Sequence, residues 1–367
     1  MLNRILSGDM PRSSILNVLL PVILIFLALA PFIFSGARAI HVAATICVFI
    51  VLVASYDLLL GYTGIISFAH TMFYGIGAYS VGLSLYRFGP EWSSVFIGLG
   101  IGLAISFVFA LIIGFFSLRV KALFYAMITL AIAFAFAVLT SQLSDLTGGD
   151  DGLSFKLPEQ LMPSYKLLES PIFGVEINGK ILTYYLVFFI ALLAFLAMLR
   201  IVNSPFGKVL QAIRENEFRA EAIGYKTVVY RTISNCLGAL GATLAGGLLA
   251  LWLRYVGPDS TLSFGIMLNI LLIVFIGGMA TMYGAVIGTT IFVIAQNYLQ
   301  DLMKVGSSAL IQFSAGHADS VMGPTLAFFS RLISPDRWFM WLGILFVLSV
   351  YYFPLGVVGK LRTFKKR

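Results

Sequence analysis

The chain has 367 residues, of which 60% are hydrophobic and 11% are charged, and its mean hydropathy is +0.98. Soluble domains contain about 45–50% apolar and about 25% charged residues. This composition excludes a water-soluble enzyme, a nucleic-acid-binding domain and a disordered protein, because the apolar excess has to contact lipid. The net charge of +8 then indicates cytoplasmic segments of a membrane protein rather than nucleic-acid binding.

Segments of about 20 mostly apolar residues mark membrane-spanning helices. We predict an all-α polytopic protein with about ten such helices in one domain, residues 1–367. The first segment is interpreted as an uncleaved span, because no small-residue cleavage site follows it. The third is rich in glycine and is a candidate for a partly re-entrant segment. The predicted spans are residues 15–34, 40–60, 64–85, 94–116, 122–142, 181–202, 228–254, 264–282, 284–303 and 337–353.

Charge predicts the orientation of these spans, because Lys and Arg are concentrated on the cytoplasmic side. Residues 200–231 contain six Lys or Arg against three Glu, and the tail after residue 353 contains five Lys or Arg. The loop 143–180 contains six acids against three Lys. We therefore expect both termini in the cytoplasm and the loop 143–180 in the periplasm. Residues 305–335 are interpreted as an insertion before the last span, with an interfacial hairpin as one possible form.

Catalytic motifs do not emerge from the chain. The three histidines are isolated in the sequence, with no metal-ligand spacing, and no nucleophile elbow is present. Residues 174–181 match the spacing of a phosphate-binding loop as far as Lys180, but Ile181 occupies the position of the Mg²⁺-binding Ser or Thr. We expect no catalytic residue, no metal site and no ATP hydrolysis by this chain.

The cytoplasmic segment 203–226 has the pattern of two short amphipathic helices. A Ser-Pro start, an apolar stripe at helical spacing, an Asn cap and a Gly stop define them. Such a pair either lies on lipid headgroups or docks into a groove of a soluble partner. Three glutamates among the basic residues favour docking. The signals are carried by Ser204, Pro205, Phe206, Val209, Leu210, Ile213, Asn216 and Gly224.

Glycine and small polar residues form two further groups next to predicted spans. Close helix packing explains most glycines of a membrane protein. Irregular backbone, however, is tolerated in the membrane only where it is buried in protein or lines a cavity. We interpret both groups as candidate walls of a translocation pathway. The first group is Gly61, Thr63, Gly64, Ser67 and His70, and the second is Gly277, Gly278 and Gly284.

Acidic residues are absent from the centres of the predicted spans. Carriers coupled to ions or protons usually need a buried ionisable group to hold the coupling ion. We therefore expect the driving energy to enter from a partner protein.

Several stretches of the chain together resemble one family of membrane proteins. They are residues 59–70, 75–79, 146–153, 204–207, 212–217, 220–224, 277–279 and 352–356. In these stretches the chain is similar to permease subunits of branched-chain amino acid ABC importers, in particular to the longer of the two paralogous membrane subunits. The similarity covers most of residues 50–300 and the last span.

The resemblance implies half of a translocation channel in the bacterial inner membrane. Its partners would be a second permease subunit, two ATPase subunits and a periplasmic substrate-binding protein, with ATP bound by the ATPases and no cofactor in this chain. Residues 205–224 would then couple to the ATPase. The residues expected at that contact are Phe206, Ile213, Arg214, Glu215, Asn216, Glu217, Glu221 and Gly224.

The solute is less well defined than the family. Branched-chain or other hydrophobic amino acids are expected, with urea or short amides as an alternative, because Ile65, Ala285 and Leu355 depart from the family pattern and the 305–335 insertion is longer than usual. Two other classes stay open: an ion-coupled secondary carrier, which would work alone in liposomes, and an intramembrane enzyme with His70 as a base.

Overall fold

The computed structural model describes residues 14–34, 36–117, 122–167, 176–315, 332–352 and 356–363, and this part of the chain is mostly helical. The helices are α1 (Ser14–Ile33), α2 (Ala37–Thr63), α3 (His70–Phe88), α4 (Trp92–Ser117), α5 (Ala122–Gln142), α6 (Ser144–Thr147), α7 (Gly179–Val202), α8 (Pro205–Glu215), α9 (Glu217–Ala222), α10 (Thr227–Leu253), α11 (Pro258–Thr261), α12 (Phe264–Gly277), α13 (Met282–Ala315), α14 (Trp338–Tyr352) and α15 (Gly356–Thr363). Two short strands, β1 (Leu153–Ser154) and β2 (Tyr255–Val256), pair antiparallel, and 3₁₀ turns lie at Gly149–Asp151, Glu159–Leu161 and Pro335–Arg337.

Seven helical segments in the described residues are long and apolar enough to cross a membrane. They confirm a multi-pass membrane protein and correspond to seven of the predicted spans. The other three predicted spans, residues 15–34, 64–85 and 337–353, contain α1, α3 and α14, which are shorter or less apolar. The number ten therefore stays a prediction. The seven segments are Ala37–Thr63, Trp92–Phe115, Leu123–Gln142, Gly179–Val202, Thr227–Leu253, Pro258–Gly277 and Met282–Ala309.

Helices α2 and α10 form the centre of the bundle, since 89% and 78% of their apolar windows are buried. Helix α3 packs closely against α10 because glycines remove side chains at the contact. A Cβ on Gly77 would lie 1.9 Å from the carbonyl oxygen of Thr243, and a Cβ on Gly246 would lie 1.9 Å from that of Tyr74. Small residues at such positions let helices in lipid approach to backbone contact.

The third predicted span is helical only from His70 onwards. Helix α2 ends at Gly64, which has a left-handed φ of 73° and donates its N–H to the last turn of the helix. Residues 64–69 are not helical and run back along α2. The direction is shown by His70, whose Nε2 lies 2.9 Å from the hydroxyl of Ser55, more than two turns before Gly64 on α2. The glycine-rich segment is thus an irregular stretch followed by a helix, and its re-entry into the membrane stays a prediction.

Contacts between distant elements define two ends of the bundle. At one end, Arg214 of α8 contacts Gly61 near the end of α2. Leu16 of α1 packs with Val358 of α15 at this same end. At the opposite end, β1 and β2 pair, and Arg38 contacts Asp301. The first turn of α1 and helix α15 therefore lie at the α8 end, whereas the number of crossings and the side of the membrane for each terminus stay predictions.

The predicted insertion 305–335 is partly a continuation of the preceding span. Helix α13 does not end near residue 303 but runs on to Ala315. The next described residues are 332–334, which lead into the 3₁₀ turn Pro335–Arg337. Residues 316–331 lie outside the described part of the chain, so the hairpin stays a prediction.

Candidate coupling site

The two predicted amphipathic helices are present as α8 and α9. Pro205 occupies the first turn of α8, as expected. Ser204 is at the N-cap position but donates its hydroxyl to the carbonyl oxygen of Ile201 at 2.6 Å and makes no capping bond, so its expected cap is wrong in detail. Asn216 caps α9 as predicted, since its Oδ1 accepts the N–H of Arg219 at 2.9 Å.

The apolar stripe of α8 faces the bundle. Leu210 and Ile213 are fully buried against the membrane helices. The ring of Phe206 stacks on Tyr230 of α10, with centroids 5.8 Å apart and planes inclined by 23°. Burial of such side chains fixes the helix to the spans by the hydrophobic effect. Any contact of α8 with a partner therefore uses its other face.

Two of the three predicted glutamates fix α9 to the start of α10. Both carboxylate oxygens of Glu217 accept hydrogen bonds from the guanidinium of Arg231, at 2.5 and 3.0 Å. Glu221 accepts a bond from the hydroxyl of Thr227 at 2.7 Å. Glu215 is exposed. A bidentate Arg–carboxylate pair defines orientation as well as distance, so α9 and α10 are held as one unit.

The exposed surface of the α9 segment carries two large apolar side chains beside two charged residues, Arg219 and Glu221. Phe218 is 86% exposed and Ile223 is 68% exposed. Gly224 ends the helix with a φ of 96°, and a Cβ built on it would have no neighbour within 4 Å. Large exposed apolar residues rimmed by charges are typical of protein contact sites. The sequence predicted both side chains on α9 but not that they point away from the chain.

Arg214 connects α8 to the first glycine group. Its guanidinium donates to the carbonyl oxygen of Gly61, and its side chain lies 3.3 Å from the position of a Cβ on Gly64. Arg214 and Gly61 are 153 positions apart in the sequence. No sequence signal links them, so the contact was missed.

The two glycine groups meet in the structure. A Cβ on Gly61 would lie 2.5 Å from the backbone nitrogen of Ala280, in the junction between α12 and α13. Within that junction, a Cβ on Gly277 would lie 2.0 Å from the carbonyl oxygen of Gly284. Gly356 of α15 packs on Gly278, since a Cβ built on Gly356 would lie 2.3 Å from the Cα of Gly278. Backbone therefore packs directly on backbone at this point.

Most of the residues predicted to wall a pathway lie behind the surface of this chain. His70 is buried, with Nε2 2.9 Å from the Ser55 hydroxyl and 3.2 Å from the carbonyl oxygen of Leu52. Of the eight predicted residues, Gly64 alone is exposed. The buried ones are Gly61, Thr63, Ser67, His70, Gly277, Gly278 and Gly284. Their role as pathway walls stays a prediction.

An irregular surface lies next to Gly64. Ile66 is exposed, and the N–H of Phe68 bonds to the hydroxyl of Thr129 in α5 at 3.0 Å. The ring of Phe264 lies 6.2 Å from that of Phe68 and 5.9 Å from that of Phe134. This face, formed by residues 64–68 with α5 and α12, was not predicted.

Metal-ligating side chains do not come together: in the described residues, no three His, Cys, Asp or Glu are grouped to hold an ion.

Comparison with known proteins decides the family. The model of the family described as "Branched-chain amino acid transport system / permease component" matches residues 38–350. The chain belongs to this family. Members are transport components, so the predicted class of membrane permease is confirmed.

Three curated relatives are similar over most of the chain. The high-affinity branched-chain amino acid transport system permease protein LivM of Salmonella typhimurium is 23% identical over 74% of this chain and 65% of its own length. LivM of Escherichia coli is 24% identical over 79% of this chain and 70% of its own length. A probable LivM of Methanocaldococcus jannaschii is 26% identical over 83% of this chain and 88% of its own length. The chain thus spans about two thirds of the two bacterial relatives. No solved structure matches it.

Proposed function

We propose that this chain is a permease subunit of an ATP-driven importer in the cytoplasmic membrane of a bacterium. It forms half of the translocation pathway for branched-chain or other hydrophobic amino acids. ATP is hydrolysed by two partner ATPase subunits, and a second, paralogous permease and a periplasmic substrate-binding protein complete the assembly. The family and the names of the curated relatives support this proposal.

The α8–α9 pair is the observation that carries the proposal. One surface of the pair is fixed to the spans through Leu210, Ile213 and the Glu217–Arg231 pair. The other presents Phe218 and Ile223 to solvent. This arrangement suits an element that receives a push from a docked protein and passes it to the bundle. A helix lying on headgroups would instead turn its apolar stripe to lipid.

The α8 end is assigned to the cytoplasm, with both termini, because of the six Lys or Arg in residues 200–231. The loop 143–180 and the Arg38–Asp301 contact are assigned to the periplasmic end.

The face formed by residues 64–68, α5 and α12 is proposed as this subunit's side of the pathway. Residues 64–68 are not helical, and they run beside the last turns of α2. In lipid, such backbone would leave polar groups unsatisfied. Gly64 and Ile66 are nevertheless exposed there, which favours a solute pathway or the paralogous permease over lipid as their neighbour.

Substitution of the exposed α9 residues tests the proposal. In the complete transporter, Phe218→Ser with Ile223→Ser is expected to weaken ATPase binding and to lower ATP-dependent leucine uptake into proteoliposomes about tenfold, since central apolar anchors dominate interfaces. Val229→Ser, at another exposed apolar position, is the control. Uptake by the double variant equal to the unaltered protein would reject the docking role.

The alternatives make different predictions in the same proteoliposomes. A urea or short-amide importer would take up those solutes, and not leucine, on ATP. A secondary carrier would take up solute on an ion gradient with this chain alone. Among the described residues, Asp57 of α2 is the buried acid that could hold a coupling ion. It lies near the α8 end of that helix, however, and its Oδ1 already accepts a backbone N–H. This favours the ATP-driven class.

A further inference from the structure

Asp57 is a buried carboxylate at the junction of the two glycine groups. It is 2% exposed, and its Oδ1 accepts the backbone N–H of Ala280 at 3.0 Å. A carboxylate is kept in such a place only where it is hydrogen-bonded, and ionisable residues within membrane segments usually serve function. Ala280 has a φ of 59°, a left-handed conformation that is unfavourable for an L-residue with a side chain. The Asp57 bond therefore helps to hold the α12–α13 junction in one conformation.

Gly61 lies one turn beyond Asp57 on α2 and contacts the same junction. A Cβ at residue 61 would lie 2.1 Å from Oδ1 of Asp57 and 2.5 Å from the nitrogen of Ala280. The absence of a side chain thus lets the Ala280 N–H reach the carboxylate. The carbonyl oxygen of Gly61 also accepts a hydrogen bond from the guanidinium of Arg214 in α8. One turn of α2 is therefore bound to α8 on one side and to the α12–α13 junction on the other.

We propose that Arg214, Gly61 and Asp57 form a relay that passes a displacement of α8 to the junction between α12 and α13. This inference rests on the proposed function, since it assumes that α8 is moved by an ATPase. Arg214 and Asp57 are positioning residues in it. Because Gly277 packs on Gly284 and Gly278 packs on Gly356, the junction and α15 move together with α2.

Amide hydrogen exchange in the purified permease tests the relay without any partner. Asp57→Ala removes the acceptor, and we expect the Ala280 amide to exchange about tenfold faster or more, the effect of losing one bond to a charged group. Arg214→Ala is expected to accelerate the same amide, although Arg214 does not touch it. Asp57→Asn keeps an acceptor and should give a smaller change. Asp145→Ala, at an exposed carboxylate of α6, is the control. Unchanged exchange at Ala280 in Arg214→Ala overturns the proposal.

A double-mutant cycle in the reconstituted transporter tests whether the relay is used in transport. Arg214→Ala and Asp57→Ala should each lower the amount of solute moved per ATP hydrolysed, and the double variant should lose no more than the worse single one, because both remove the same link. Losses that multiply would overturn the relay. If the unaltered transporter shows no ATP-dependent uptake, the proposed function fails, while the exchange measurement still decides the contact.

Discussion

Glu217 shows how one residue holds α9 in place. Its carboxylate binds Arg231 through two hydrogen bonds, and the two side chains are 39% and 18% exposed. Partial burial gives such a pair more weight than a surface pair, whose median contribution is about 0–1 kcal/mol. The ion pair gives Glu217 a structural role within the chain. The sequence alone does not distinguish such a role from a direct contact with a partner.

Replacement of Glu217 by Gln is therefore expected to loosen α9 from α10. We expect faster proteolysis within residues 216–226 and lower uptake per ATP, with the chain still inserted, because one charge-assisted pair is lost. Limited proteolysis and proteoliposome uptake are the measurements. Glu176→Gln, which removes the exposed pair with Lys166, is the matched control. Equal proteolysis of the two variants would contradict the anchoring role of Glu217.

Gly224 is required for its backbone conformation rather than for space. Its φ of 96° is unfavourable for any residue with a Cβ, although nothing lies within 4 Å of that position. We expect Gly224→Ala to destabilise the end of α9 by about 1 kcal/mol and to reduce coupled uptake. Gly100→Ala provides the comparison, because Gly100 lies within helix α4 with equal free space. If uptake in both variants stays normal, the strain argument is wrong.

At the scale of elements, adjacent glycines of α10 have different roles. A Cβ on Gly246 would lie 1.9 Å from a backbone oxygen of α3, whereas one on Gly247 would lie 3.2 Å from the end of the Leu99 side chain. Gly246→Ala should therefore force α3 and α10 apart and cost about 1–3 kcal/mol, the range for overpacked cores. Gly247→Ala should be tolerated. Thermal unfolding in detergent measures both, and similar midpoints would refute close α3–α10 packing.

The elements could largely be predicted from the sequence because apolar length defines a membrane helix without tertiary information. The cap of α9 by Asn216 was also predictable, since it depends on neighbouring residues only. The contacts of Arg214 with Gly61 and of Asp57 with Ala280 were not, because they join residues 153 and 223 positions apart. The extent of α13 was missed because its last turns are too polar to read as a span.

For the whole molecule, the two ends make a prediction about sidedness. Ser308 near the end of α13 and Arg219 on α9 are both exposed and lie at opposite ends of the bundle. We expect Ser308→Cys to react with a membrane-impermeant thiol reagent in intact cells, and Arg219→Cys only after permeabilisation. The native Cys47 and Cys236 are buried, so the unaltered chain gives the background. The reverse pattern of labelling would invert the proposed orientation.

Helix α13 has 34 residues and is therefore about 51 Å long, whereas the hydrocarbon layer of a bilayer is about 30 Å thick. It starts in the junction at the α8 end, so its surplus of about 20 Å stands clear of the lipid on the far side. A globular protein that binds at that end would contact the side of α13 as well as the surface of the bundle, and this second contact would restrict its orientation on the permease.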